Sequence, residues 1–162
     1  MDHPAARRGP IPPAVAAAGP FAAEADYRVA FTIDCPGGDH RTAEHWTRAV
    51  FEEAPRPMRW FLIVGWTGLS LRLRPSYAAT RVLGWEIEQA TSAVAVTVVT
   101  ARLGLTSRLV LSLEPDSVTL ASFVRFTTPG RIVRVMWAAA TPLHERVLPH
   151  LLAAAVRRSA PR

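Results

Sequence analysis

The segment that decides the fold lies near the C-terminus and reads PGRIVRVMWAAATPLHERVLPHLLAAAVRR at residues 129–158. At about 100° per residue, its larger apolar side chains and one histidine fall within a single arc of a helix. This arc contains Ile132, Val133, Met136, Trp137, Ala140, Leu143, His144, Val147, Leu148 and Leu151. The pattern predicts a long amphipathic helix that lies on a core. Pro142 and Pro149 project from the opposite side, so we expect the helix to curve over the core rather than stop.

The segment before this helix predicts an antiparallel sheet. Four runs rich in Val, Thr and aromatic residues occur at about residues 81–89, 93–101, 105–114 and 117–127. The short turns between them are typical of consecutive antiparallel strands. Leu109, Leu111 and Leu113 alternate with polar residues such as Arg108, so one face of the sheet is apolar. Such a face needs a cover, and we expect the C-terminal helix to provide it.

The chain ahead of this meander predicts one strand and two helices. Apolar side chains at positions 27, 29, 31 and 33 alternate as in a half-buried strand. Thr42 suits the N-cap of a helix that reaches about residue 53, and Pro57 suits the start of a second helix over residues 58–67. The second helix is apolar almost all round, so we expect it to be buried or to form the lid of a pocket. The predicted fold class is α+β: an antiparallel sheet with two short helices after the first strand and a long C-terminal helix packed across it.

The chain has 162 residues, which suits one domain. We expect residues 1–25, rich in Pro and Ala, to be a disordered leader, residues 26–158 to form the domain and residues 159–162 to be a tail. Pro12 and Pro13 interrupt the one stretch that resembles a signal peptide. Since no apolar run reaches the ~20 residues that a membrane span requires, we expect a soluble protein of the cytoplasm.

The charged and metal-binding residue types exclude several function classes. All 19 cationic residues are Arg, but residues 26–155 hold 14 Arg against 11 acidic residues and form no basic stripe, so no nucleic-acid partner is expected. Cys35 is the only cysteine, which excludes an intrachain disulfide and a zinc site built on cysteines. His40 and His45 lie five residues apart, a spacing unsuited to sharing a metal ion. We therefore expect no metal and no cofactor.

Two blocks of sequence resemble a known superfamily. Residues 42–64 and 122–151 are similar to the corresponding blocks of an uncharacterised bacterial family in the helix-grip superfamily, also called SRPBCC, which includes START lipid-transfer domains and polyketide cyclases. The similar motifs are Phe51 to Pro55, Gly130-Arg131, and Pro142 with His144. The chain departs from the family after Arg59, where it becomes apolar. The resemblance covers most of residues 26–158 and implies a helix-grip fold with a cavity, but no particular reaction.

His144 is the candidate catalytic residue. It falls within the apolar arc of the long helix, so its imidazole should face the sheet. An imidazole has an unperturbed pKa near ~6.5 and is easily tuned to act as a general acid or base. The structural alternative is a core histidine that hydrogen-bonds a backbone carbonyl.

Aromatic and other side chains at the predicted interface of helix and sheet are the candidate ligand contacts. Trp rings either fill a core or line an apolar ligand site. Tyr77 and Arg125 are candidate polar anchors, although the alternation along its strand directs Arg125 outward. The predicted ligand-binding residues are Trp46, Trp60, Tyr77, Trp85, Arg125, Met136 and Trp137.

These observations predict a protein that binds an apolar small molecule, lipid-like or polyketide-like, between the sheet and the C-terminal helix. Acid/base chemistry by His144 would make it a cofactor-independent cyclase, dehydratase or isomerase. The alternatives are a non-catalytic carrier or sensor, and an interaction module that uses the apolar second helix. Sequence alone leaves open whether the protein is an enzyme and whether it forms a homodimer.

Overall fold

The computed structural model describes residues 5–16, 20–74 and 79–159, which form one antiparallel sheet and a set of helices. In chain order the strands are β1 (Arg7–Gly9), β2 (Tyr27–Asp34), β3 (Arg81–Val82), β4 (Trp85–Ala90), β5 (Val94–Ala101), β6 (Leu105–Glu114) and β7 (Ser117–Phe126). The helices are α1 (Pro13–Ala16), α2 (Pro20–Glu24), α3 (Ala43–Phe51), α4 (Arg56–Gly68) and α5 (Arg131–Ser159), with a 3₁₀ turn at Gly38–His40. The sheet order is β1-β2-β7-β6-β5-β4-β3.

The observed architecture confirms the predicted fold class. Strands β4 to β7 form an antiparallel meander, and β2 pairs with β7 along its whole length. Helices α3 and α4 follow β2, and α5 packs against α3, β2 and β7. The layout is α+β and helix-grip-like, with α5 lying on the front face of the sheet. Two prolines, Pro142 and Pro149, lie inside α5 without ending it, as the sequence predicted.

The first predicted strand of the meander is in fact a hairpin. Leu83 and Gly84 both have positive φ, at 45° and 91°, and join β3 to β4 as a two-residue turn. Hairpin turns of this kind require left-handed backbone at both central positions, which glycine adopts without steric cost. Gly84 inside the predicted run was therefore the signal of a turn, and Leu83 belongs to that turn and not to the strand.

The prediction of a disordered leader is wrong for residues 5–16 and 20–25. Strand β1 adds to the sheet edge beside β2, with Arg8 opposite Phe31. Val15 is fully buried and Phe21 is 9% exposed, and both pack on the back face of the sheet. The guanidinium of Arg108 also stacks on Phe21, 4.2 Å from the ring centroid. The N-terminal segment is thus the cover of the second sheet face.

The core therefore has two layers, one on each side of the sheet. The front layer is the larger and contains the apolar sides of α3 and α5. The back layer joins the N-terminal segment to small and apolar strand residues such as Ala30, Val110 and Phe123. Continuous apolar runs such as Leu109–Val110–Leu111 are typical of strands buried on both faces, and this signal could have shown the second layer from the sequence.

The predicted apolar arc of α5 is only partly buried. Val133, Trp137, Leu148 and Leu151 are buried, as expected. Ile132 and Leu143 are 71% and 50% exposed. The helical pattern overestimates burial because the sheet covers only part of the apolar arc. Helix α4 lies apart from the remainder, and a cavity is left between them.

Candidate ligand-binding cavity

A cavity of about 430 Å³ lies between α4, the front face of the sheet and α5. This volume is within the range of pockets that hold small organic molecules, roughly 300–1,000 Å³. Its walls are almost entirely apolar. The lining residues are Phe61, Leu62, Gly65, Trp66, Gly68, Leu69, Leu71, Trp85, Leu105, Ser107, Leu109, Met136, Trp137, Ala139, Ala140, Leu143, His144, Val147 and Leu148.

Helix α4 forms one wall because its inward face mixes large residues with glycine. Pro57 lies in its first turn, where a missing N–H costs nothing. Leu62 is its only buried residue, and the ring of Trp66 packs on Trp85 with centroids 5.2 Å apart. A Cβ atom added at Gly65 or Gly68 would meet nothing within 4 Å. These two glycines therefore leave space open on the cavity side rather than permit close packing.

His144 is held in place by a hydroxyl on the sheet. Its Nε2 lies 3.0 Å from Oγ of Ser122, a residue of β7 that is fully buried. The ring also makes an edge contact with Trp137, with centroids 5.0 Å apart. When the Ser122 hydroxyl donates to Nε2, the ring carries its own proton on Nδ1. Since His144 lines the cavity and Nδ1 has no partner among the described residues, that nitrogen is free to contact a ligand.

Burial lowers the pKa of His144 from 6.5 to about 4. The cause is desolvation, because a charged imidazolium loses its hydration among apolar walls. His144 is therefore neutral at physiological pH, and it can donate or accept a hydrogen bond without carrying charge.

A polar strap supports the wall around His144 and Trp137. Tyr27 contacts Trp137 edge-on at 5.2 Å, and its hydroxyl donates to Oε1 of Glu145 at 3.0 Å. Oε2 of Glu145 in turn pairs with Nη1 of Arg8 at 3.0 Å. Burial, and then the hydrogen bond to Glu145, raise the pKa of the Tyr27 phenol, which stays protonated. The strap ties β1, β2 and α5 together, so the N-terminal strand helps to position the cavity wall.

The polar residues that line the cavity are Ser107, His144, Trp85 and Trp137, and no charged side chain of the described residues lines it. The indole N–H groups of Trp85 and Trp137 are buried and have no hydrogen-bond partner in the described part of the chain. Ser107 adds a hydroxyl to the lining. An unpaired buried donor costs roughly 1–3 kcal/mol. The two nitrogens have almost no accessible surface, so a ligand in the cavity would contact the faces of the rings rather than these N–H groups.

Four of the residues predicted from the sequence meet at this cavity. Trp85 comes from β4, while Met136, Trp137 and His144 come from α5. Sequence reasoning did not select Trp66, Phe61 or Ser107. Trp66 and Phe61 lie on the helix that was expected to form a lid, and Ser107 occupies a front-face position in the alternation of β6. Both patterns are visible in the sequence and could have identified these residues.

The other predicted ligand contacts lie elsewhere. Trp46, a residue of α3, is buried in the front layer of the core, and its indole donates to the carbonyl of Gly38 at 2.7 Å. Trp60 is 67% exposed on the outer side of α4. Arg125 is on the back side of the sheet and pairs with Glu24 at 2.6 Å. Tyr77 lies outside the described residues. The prediction that Trp46, Trp60 and Arg125 contact the cavity is wrong. Periodicity shows which residues share a face of a helix or strand, but it does not show which element that face packs against.

Within residues 5–16, 20–74 and 79–159, no three or more His, Cys, Asp or Glu side chains are grouped to hold a metal ion. Among the helices described there, none has the length and apolarity needed to cross a bilayer. Comparison of the chain with protein-family models, with curated proteins and with solved structures gives no match.

Proposed function

We propose that this protein binds an uncharged, largely apolar small molecule, lipid-like or polyketide-like, in the cavity between α4, the sheet and α5. The observation that carries the proposal is the open volume itself: about 430 Å³ remains where the predicted amphipathic faces could have packed against each other. A void of this size lined by Leu, Trp and Met loses packing contacts, and an apolar ligand restores them. The resemblance to helix-grip proteins supports the same proposal.

The chemistry of the walls narrows the ligand class. A charged ligand would have to give up its hydration in a site that offers no opposite charge, so it is disfavoured. The hydroxyl of Ser107 and the imidazole of His144 favour a ligand with a carbonyl, ether or hydroxyl oxygen. A long-chain ketone and a neutral polyketide fragment both meet this description.

Proton transfer by His144 is the second candidate function. It is supported by the hydrogen bond to Ser122, which fixes the ring with Nδ1 free for a ligand. Such a group could assist the cyclisation, dehydration or isomerisation of a carbonyl compound without a cofactor. The lowered pKa makes the imidazole a weak base, which favours a carrier or sensor over an enzyme. In either role we place the protein in the cytoplasm.

Two alanines of α5, two positions apart, provide a matched test of binding. Ala140 lines the cavity, whereas Ala138 is exposed and does not. The probe is prodan, an uncharged fluorescent ketone whose emission shifts to the blue in apolar surroundings. The wild-type protein should bind prodan, and a long-chain methyl ketone should displace it. Ala140→Phe should weaken binding by about tenfold or more, as an overfilled pocket does, and Ala138→Phe should bind like wild type.

Two results would contradict the proposal. The first is no blue shift of prodan with folded wild-type protein. The second is equal binding by Ala140→Phe and Ala138→Phe, which would place the probe outside the cavity. Preferential binding of an anionic probe of similar size, anilinonaphthalene sulfonate, would keep the cavity but reject an uncharged ligand. Turnover of a bound ketone that His144→Gln abolishes, without loss of binding, would establish the catalytic role.

A further inference from the structure

The largest exposed apolar side chains are concentrated on the two helices that border the cavity. Seven large hydrophobic side chains are exposed within the described residues, and six of them lie on α4 and α5. On α4 they are Trp60, Phe61 and Val64, exposed by 67%, 43% and 64%; on α5 they are Ile132, Val135 and Leu143, exposed by 71%, 67% and 50%. We call these six residues the mouth surface. Large apolar side chains left exposed together on neighbouring elements mark an interaction site.

The mouth surface is continuous with the cavity. Phe61 and Leu143 belong to both, since each lines the cavity and is also exposed. On α4, Val64 lies one turn from Trp60 and Phe61, and on α5 the stripe runs from Ile132 through Val135 to Leu143 at helical spacing. An apolar path therefore leads from the outer surface of both helices into the cavity.

The charged side chains in the first turns of α4 and α5, which carry the mouth surface, are arginines. Glu145, two residues beyond Leu143 on α5, is already paired with Arg8 and Tyr27. On the two helices Arg134 pairs with Asp26 at 3.5 Å, whereas Arg56, Arg59 and Arg131 have no ion-pair partner among the described residues. The partner that fits this surface is thus both apolar and anionic.

We infer that the mouth surface docks on an anionic phospholipid bilayer. Exposed Trp and aliphatic side chains enter the boundary between headgroups and acyl chains, and Arg binds the phosphates at that depth. A second copy of the chain fits less well, because a symmetric contact through this surface would bring like-charged arginines together. The inference goes beyond the proposed cavity ligand: it assigns a partner to a different surface, and docking places the cavity entrance against lipid.

Vesicle sedimentation tests the inference without any cavity ligand. The wild-type chain should bind phosphatidylglycerol vesicles, bind phosphatidylcholine vesicles weakly, and lose affinity as salt is added. The double variant Trp60→Ser with Val64→Ser should lower the partition coefficient roughly tenfold to hundredfold, since large apolar groups are no longer buried in lipid. Arg56→Gln with Arg59→Gln should lower it about tenfold or more on the anionic vesicles alone.

Matched controls are available outside the mouth surface. Leu103 is a large side chain, 41% exposed, in the turn between β5 and β6, and Arg157 is exposed at the far end of α5. Leu103→Ser and Arg157→Gln should each change vesicle binding less than twofold. Trp60→Phe should retain most of the binding, since an aromatic ring remains. Each changed residue is exposed or partly exposed, and thermal melting checks that each variant folds.

Two outcomes would overturn the inference. One is a wild-type chain that does not bind phosphatidylglycerol vesicles, or that binds them equally after Trp60→Ser with Val64→Ser. The other is a concentration-dependent dimer in sedimentation velocity that the same double variant dissociates, which would assign the surface to a second copy. Neither outcome touches the prodan experiment, so failure of docking and failure of the cavity proposal are distinguishable.

Discussion

Acidification from about pH 7 to about pH 4 should remove about 3 kcal/mol of stability through His144 alone. The folded chain holds this imidazole with a pKa of about 4, whereas its ordinary value is 6.5. Above 6.5 the group is neutral in the folded and the unfolded state, so its contribution does not vary with pH. As the pH falls from 6.5 toward about 4, only the unfolded state binds the proton, and the free energy of unfolding falls by about 1.4 kcal/mol per pH unit.

The assay is urea unfolding of wild type and His144→Gln across this pH range. Glutamine does not titrate and can accept a hydrogen bond from Ser122, and the carboxylates that also titrate cancel in the difference between the two proteins. The stability advantage of wild type over the variant should be level above about pH 6.5 and then fall by about 3 kcal/mol. The reasoning would be refuted if the difference in unfolding free energy between the two proteins did not vary with pH, or if an NMR titration of His144 gave a midpoint near 6.5. Either result would show that His144 is not buried in the cavity wall.

Three further changes test the packing. Trp85→Ala should lower the free energy of unfolding by about 3–5 kcal/mol, as the loss of a large buried ring does. Trp60→Ala should lower it by less than about 1 kcal/mol, because that side chain is 67% exposed. Urea unfolding ranks the two variants, and the reverse order would contradict the assignment of buried and exposed faces on β4 and α4. Val15→Ala should cost about 1–3 kcal/mol because Val15 is fully buried on the back face, and no loss of stability would show that the N-terminal segment does not cover the sheet. Arg125→Gln removes a half-exposed ion pair with Glu24, so melting should show a cost below about 1 kcal/mol and prodan should bind as in wild type; weaker binding would return Arg125 to the cavity.

The order and type of the main elements follow from the sequence because each rests on a local period. The repeat of apolar residues near 3.6 predicted α5 through Pro142 and Pro149, and the repeat of two predicted the strands from β5 to β7 within one residue of their observed bounds. Local periodicity also placed Trp137 and His144 on one side of the same helix. Such patterns are visible in sequence because they depend on neighbours within a few positions along the chain.

Only the tertiary structure decided which of these faces meet and whether the space between them is filled. Trp46, Trp60 and Trp66 all lie on apolar helical faces, yet one is in the core, one faces solvent and one lines the cavity. The burial of Val15 behind the sheet depends on a strand pair between β1 and β2, which spans more than 20 residues of sequence. A period states which residues share a face, but packing between distant segments depends on side-chain volumes summed over all of them. The separation of α4 from α5, which leaves the cavity, depends on these summed volumes and cannot be read from any single segment.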